Sequence, residues 1–219
     1  MTTITLIRHG QANTEARTEA EYDRLSPLGH QQAAWLGAHM NDTGEHIERV
    51  YCGTLRRHNE TAQSMQADSH AEIVQDERLN EIEYFTLAQL MLAQHGTAIP
   101  DDREGFVTHL PLLFKTWQEG GIKDAPETFQ SFETRVSDAI ADISNGRGPA
   151  LVVTSGGLIG MVARQVMNLD LTAMSLACLA IMNTSVHRLH RVGPVMALTQ
   201  FNAVPHLEKR DRHYAQTHL

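Results

Sequence analysis

Thr5-Leu6-Ile7-Arg8-His9-Gly10-Gln11 is the stretch around which this chain is organised. Ile4 to Ile7 is an aliphatic and β-branched run that reads as a strand, and it stops at a cation, an imidazole and a glycine. A strand leaving a buried sheet presents its last side chains to the crevice at the carboxyl edge, where open α/β sheets bind ligands. Arg8 offers a planar fork of donors suited to an oxyanion such as phosphate. His9 can serve as a nucleophile if a backbone acceptor holds its far ring nitrogen and leaves the near one unprotonated. Gly10 would let the backbone turn tightly beneath the ligand. Taken alone, the triplet could equally be a strand that ends in polar residues, so the rest of the chain has to decide.

Residues 11–25 are polar and acidic without period and read as an active-site loop or as plain surface. Ser26-Pro27 is an N-cap followed by proline at the first helical position, and opens a helix through Ala33, Leu36 and Met40 that stops near Gly44. Arg49 to Cys52 is a second strand. The helix after Gly53-Thr54 crowds Arg56, Arg57 and His58 into its first turn, which opposes the helix dipole unless an anion sits among them. Ile73-Val74 is a third strand, and Asp76 to Glu83 a polar turn. Residues 86–126 read as an insertion over the sheet, with helices at Leu87 to Gln94 and near Phe106 to Trp117, although their apolar residues fit plain core equally well.

Phe129, Phe132, Val136, Ile140 and Ile143 recur at helical spacing and form a core stripe. Ala150 to Thr154 is a fully buried strand that runs into Ser155-Gly156-Gly157 and a helix from Leu158 to Met167, a second junction at which a sheet edge opens toward a ligand. Ser185 to Val192 and Val195 to Ala203 form a hairpin turning at Gly193-Pro194, and the polar tail from Glu208 to Leu219 is expected to fray. Alternating strands and helices give an α/β fold, a three-layer α/β/α sandwich with a mostly parallel sheet, an antiparallel edge and a helical insertion over the site. The whole of 1–219 reads as one domain carrying a cap at about 86–126.

A formal charge of -8 leaves no nucleic-acid footprint, so an anionic substrate must be held by a local cluster of Arg and His. Cys52 and Cys178 match no metal spacing and suit a reducing compartment. The first strand begins too early for a secretory leader, and no apolar run approaches the roughly 18 residues of a membrane span. A cytoplasmic protein without a membrane partner is expected. The edge strand near the C-terminus offers a surface for a homodimer.

Taken together, these pieces resemble the histidine phosphatase superfamily, the phosphoglycerate mutase-like proteins, over nearly the whole chain. Leu6-Ile7-Arg8-His9-Gly10-Gln11 looks like the family signature. Leu25 to Ala33 is similar to its first helix entry, Val50 to Ala62 to its second motif, Leu79-Asn80-Glu81 to its acid segment, and Glu127-Thr128-Phe129 with Phe132 and Arg135-Val136 to its later helix. The resemblance implies that His9 becomes phosphorylated, that Arg8 and Arg57 grip the phosphate, and that Glu81 protonates the leaving oxygen. Glu83, two residues on, is a neighbour or a substitute for Glu81, and a strand conformation would put both on one face. Asn13 and Thr14 could add donors. No metal or cofactor is implied. One departure stands out: where the family has Ser-His-Gly-Gly, this chain has Thr154-Ser155-Gly156-Gly157, so a neutral hydroxyl at Ser155 stands in the place of the second histidine of the phosphate pocket. Either turnover is weakened or another residue compensates. His58 is the candidate for that part, with a surface position as the alternative. His187 and His190 read as cross-strand packing or surface. The expected function is hydrolysis of a small phosphomonoester through phosphohistidine. A phosphate-binding domain that has lost turnover and a mutase-type phosphotransferase are the alternatives.

Overall fold

The structure, a computed structural model, describes residues 2–218, Arg103 by its backbone alone. Its elements are, in chain order, β1 (Thr3–Arg8), α1 (Glu19–Tyr22), α2 (Pro27–Asp42), β2 (Arg49–Cys52), α3 (Arg56–Ser64), β3 (Ile73–Gln75), α4 (Tyr84–His95), α5 (Arg103–Gln118), α6 (Phe129–Asn145), β4 (Ala150–Thr154), α7 (Gly156–Met167), α8 (Leu171–Ala180), β5 (Val186–Val192) and β6 (Val195–Ala203). The strands form one sheet in the order β3-β2-β4-β1-β5-β6. β3, β2, β4 and β1 run parallel, while β5 is antiparallel to β1 and β6 to β5.

Alternate strand residues feed two cores. Ile4, Leu6, Ala150 and Val152 join one cluster with Phe132 and Val136 of α6, Leu158 and Val162 of α7 and Met174 of α8. Ile7, Val50, Leu151 and Val153 join another with Ala33, Leu36 and Met40 of α2 and Ala62 of α3. Burial on both faces is why β4 reads as an unbroken apolar run and why the fold has three layers. Arg8 of β1 sits opposite Thr154 of β4, so Arg8-His9 and Ser155-Gly156 leave the sheet side by side. The chain after β1 passes to α2 on one face, and the chain after β4 to α7 on the other, which makes this edge the topological switch point where ligands are bound in such sheets.

Ser26 caps α2 as expected, its Oγ accepting from Gly29 N at 3.0 Å. Gly10 has a different use from the expected tight turn. A Cβ there would lie 2.4 Å from the Gly29 carbonyl oxygen, and one on Gly29 would lie 2.1 Å from the Gln11 carbonyl oxygen, so the two glycines let the signature loop and the first turn of α2 touch backbone to backbone.

The helices expected at 87–94 and 106–117 are longer, as α4 and α5. Leu87, Met91, Leu113, Phe114 and Trp117 belong to the same core as α6, α7 and α8. No sequence signal had marked α8, whose residues are apolar all round, nor the one-turn α1 inside the 11–25 loop. The tail corrects the expectation of fraying. Residues 210–215 form a 3-10 helix, Ala215 is fully buried, and Gln32 Nε2 donates to Ala215 O and Thr217 Oγ1. Leu219 lies outside the described residues. Among the described residues no helix is long and apolar enough to cross a membrane.

Candidate active site

His9 follows directly on β1 and is 2% exposed. Its Nδ1 lies 2.7 Å from the Gly10 carbonyl oxygen. A carbonyl can only accept, so that nitrogen carries the proton and Nε2 keeps its lone pair. Burial, reinforced by the charges of Arg57, Arg8 and His58, pushes the imidazole well below its ordinary pKa and keeps it neutral. Arg8 is buried beside it. Its Nη1 donates to Ile181 O, its Nε is buried without a partner, and its guanidinium passes over Gly156, where a Cβ would meet Arg8 Nε at 3.6 Å.

The crowding of cations at the start of α3 has a structural answer. Leu55, the N-cap residue, has no side chain able to accept, and the caps come from elsewhere in the chain. Asp23 accepts from Arg56 N at 2.9 Å and from Arg57 N at 3.1 Å, and pairs with Arg57 Nη1 at 3.0 Å. Asn80 Oδ1 accepts from Thr54 N and Leu55 N. The anion among the cations is thus the protein's own Asp23. Arg57 still has a buried Nε without a partner, and its guanidinium lies 5.1 Å from the centre of the Tyr22 ring.

Glu81 comes from a non-strand segment after a 3-10 turn at Glu77–Leu79, so Glu81 and Glu83 do not share a strand face. Glu81 Oε2 accepts from Gly157 N at 2.8 Å, and a Cβ at Gly157 would lie 2.3 Å from Glu81 Oε1. Two hydrogen bonds from Arg135 Nη1, to Arg78 O and Asn80 O, and one from Thr154 Oγ1 to Leu79 O hold the segment. Glu83 is exposed and its carboxylate accepts from Thr86 Oγ1.

His58 is fully buried rather than on the surface. Its ring centre lies 5.9 Å from that of His9, and its Nε2 is 2.6 Å from Ser155 Oγ. The absence of a side chain at Gly53 makes this possible, since a Cβ there would be 2.2 Å from His58 Nδ1. Burial and the charge of Arg57 hold His58 well below its ordinary pKa. Ser155 is buried as well. Because its hydroxyl is engaged by His58, it makes no side-chain cap on α7.

The sequence matches the model of the histidine phosphatase superfamily (branch 1) over residues 4–203. The chain belongs to that superfamily. No curated protein matches it. Among solved structures it is similar to YhfR of Bacillus stearothermophilus, with 22% identity, a TM-score of 0.70, and coverage of 95% of this chain and 100% of that one. It is similar to a phosphoglycerate mutase from Bacillus anthracis str. Sterne, at 22% identity, a TM-score of 0.69 and 94% of both chains. A phosphoserine phosphatase mutant from Entamoeba histolytica in complex with phosphoserine matches at 20% identity, with a TM-score of 0.69 over 94% of this chain and all of that one. At these identities the structures speak for the fold.

In this superfamily member, Arg8, His9, Arg57, Glu81 and Gly156 line one cavity of about 450 Å³. Asn13 and Thr14 line it too, but the amide of Asn13 is engaged in its own loop, accepting from Glu15 N and donating to Glu21 O. Ser155 and His58 stand behind this lining. Sequence reasoning passed over Asn183, whose Nδ2 donates to His9 O at 3.3 Å and whose Oδ1 accepts from Thr217 Oγ1. The polar triplet Asn183-Thr184-Ser185 just before β5 was the available signal. Asp23 and the aromatic wall of Tyr22 and Phe85 had no local signal, because they matter only through contacts distant in sequence. His187 is buried packing, its Nε2 at 2.9 Å from Ser185 Oγ and its ring edge-on to Phe201, and His190 lies 3.3 Å from Thr199 Oγ1.

Proposed function

We propose that the protein is a phosphoric monoester hydrolase that works through a phosphohistidine at His9 without a metal. The observation that carries this reading is the His9 imidazole, fixed with its proton on the Gly10 side, in one cavity with two arginines that have unpartnered Nε atoms and with Glu81. In the first step His9 Nε2 attacks phosphorus in line. The bond to the ester oxygen breaks, and Glu81 gives that oxygen its proton. Arg8 and Arg57 hold the equatorial oxygens, where charge accumulates. In the second step the Glu81 carboxylate takes a proton from water, the resulting hydroxide attacks phosphorus, and the P–N bond breaks to restore neutral His9.

Ser155 and His58 act together in this reading. With both ring nitrogens of His58 buried and Nδ1 unpartnered, a proton on Nε2 avoids a buried N–H without an acceptor. His58 then donates to Ser155 Oγ and fixes the Ser155 hydroxyl behind the cavity lining, next to Gly156. A second reading, a phosphate-binding domain without turnover, draws on that neutral hydroxyl in place of a cationic imidazole. The test is hydrolysis of a generic aryl phosphate, with a chelator present, by wild type and His9→Ala. Turnover only by the wild type supports the hydrolase, and equal near-zero rates for both discard it.

A further inference from the structure

Resting on the hydrolase reading above, we propose that the alcohol part of the substrate is apolar and uncharged, a ring or a hydrocarbon chain, rather than a hydroxy acid or a sugar. The cavity divides into two ends. Arg8, His9 and Arg57 form the anion end. Beyond them the walls come from α1, α4, α5 and the connection between the last two, and carry Tyr22, Phe85, Ile99, Phe106, Leu110 and Phe114. The rings form a continuous surface: Tyr22 and Phe85 lie 5.8 Å apart, Phe85 and Tyr84 5.7 Å, and Tyr84 and Phe106 5.9 Å.

A second anionic group on the substrate, such as a carboxylate, needs a cation or a cluster of donors at this end. The charged groups found there are mostly of the wrong sign. Glu19 lines the wall with its Oε1 already accepting from Phe85 N, and Asp101 and Asp102 stand exposed at the edge. Burial raises the Glu19 carboxyl above its ordinary pKa, which a substrate carboxylate would raise further. Arg17 is exposed, and His218 is the remaining basic residue among the described lining. Of the amide side chains in the described lining only Gln89 belongs to these helices, and it is exposed, so a sugar would bury most of its hydroxyls against aromatic and aliphatic side chains. A volume of about 450 Å³, phosphate included, is at the small end of small-molecule sites, which run from about 300 to 1,000 Å³. It has room for the phosphate together with at least one ring or a chain of several carbons.

Two measurements on the full chain test this. In the first, kcat/KM is compared for hexyl phosphate, glycerol 3-phosphate and 3-phosphoglycerate, all of which release an alkoxide of similar basicity. Hexyl phosphate is expected to lead by at least about tenfold, since a single methylene in an apolar pocket is worth about that much. A lead for either polar ester overturns the proposal. In the second, calorimetry compares benzylphosphonate with methylphosphonate and 3-phosphonopropionate, which report binding without turnover. Benzylphosphonate is expected to bind at least about tenfold more tightly than the other two. Equal affinities, or tighter binding of the carboxylate, overturn the proposal even if esters are hydrolysed. Tight binding of benzylphosphonate with no ester turned over would instead sink the hydrolase reading, while the preference of the cavity for an apolar group beside the phosphate would stand. Phe106→Ala should reduce the benzyl preference several-fold, and an unchanged preference would place the alcohol away from this wall.

Discussion

Replacing Gly157 by Ala tests whether the position of Glu81 matters to the chemistry. The new Cβ would lie 2.3 Å from Glu81 Oε1, 3.1 Å from its Cδ and 3.2 Å from Oε2, in a region where ordinary contact begins near 3.4 Å. The carboxylate is the end of a flexible side chain, so it gives way rather than α7, and it must retreat by roughly 1 Å. A displacement of that size at a reacting group lowers kcat by about 10²-fold, or about 2.7 kcal/mol of transition-state stabilisation. The hydrogen bond from Gly157 N to Oε2 weakens, at about 1 kcal/mol. Replacing glycine by alanine in the first turn of α7 returns about 0.5–1 kcal/mol, so the melting temperature should stay within a few degrees of wild type. Gly156→Ala is the control, because its Cβ meets Arg8 Nε at an ordinary 3.6 Å and should lower kcat far less. Steady-state kinetics on hexyl phosphate with a thermal melt of each variant reads both quantities. A folded Gly157→Ala enzyme with kcat within twofold of wild type would refute the placement of Glu81 as the proton donor.

His58→Ala removes the hydrogen bond that fixes Ser155 next to Gly156 and should lower kcat by up to about tenfold, the worth of one neutral buried hydrogen bond, and an unchanged rate in the same assay removes that positioning role. Asp23→Ala removes the acceptor for two N-terminal amides of α3 and the partner of Arg57. It should cost about 1–2 kcal/mol by urea denaturation and raise KM, whereas unchanged values for both would mean that Asn80 suffices as the cap. Acid should destabilise the fold early. Burial pushes His187 and His206 each down to about 3, while an unfolded histidine titrates near 6.5, so below 6.5 the unfolded chain takes up protons that the native one refuses. The stability they contribute is complete above 6.5 and is lost as pH falls, at about 2 kcal/mol for each between pH 7 and pH 5. Urea midpoints at the two pH values that coincide would contradict this.

The parts of the fold written in local signals were legible in the sequence. The β-branched run before Arg8, the Ser26-Pro27 cap, the stripe from Phe129 to Ile143 and the unbroken apolar run of β4 each predict their element, and the structure has all four. α8 escaped because a helix that is apolar all round carries no period to read. The tail escaped for the opposite reason: its polar composition says nothing of Gln32 and Asn183, which tie it down from elsewhere in the chain. At the site, Arg8, His9, Arg57 and Glu81 were named from motifs, and the structure brings them to one cavity. What could not be read was the support around them. Asp23 and Asn80 cap α3 in place of Leu55, Gly157 owes its importance to Glu81, which arrives from a distant segment, and Gly53 owes its importance to the inward turn of His58 at the start of α3, which only the fold reveals. The choice between buried and surface His58 depended on that space at Gly53.

The most direct test of the account is to trap the intermediate on His9. Wild-type protein mixed with an ester carrying a labelled phosphate and quenched within one turnover should yield a peptide spanning Arg8 to Gln11 that bears one phosphoryl group, stable in alkali and lost in acid as a phosphoramidate is. His9→Ala should yield none. Label recovered on another residue, or release of phosphate by wild type with no labelled peptide at any quench time, would contradict the central claim.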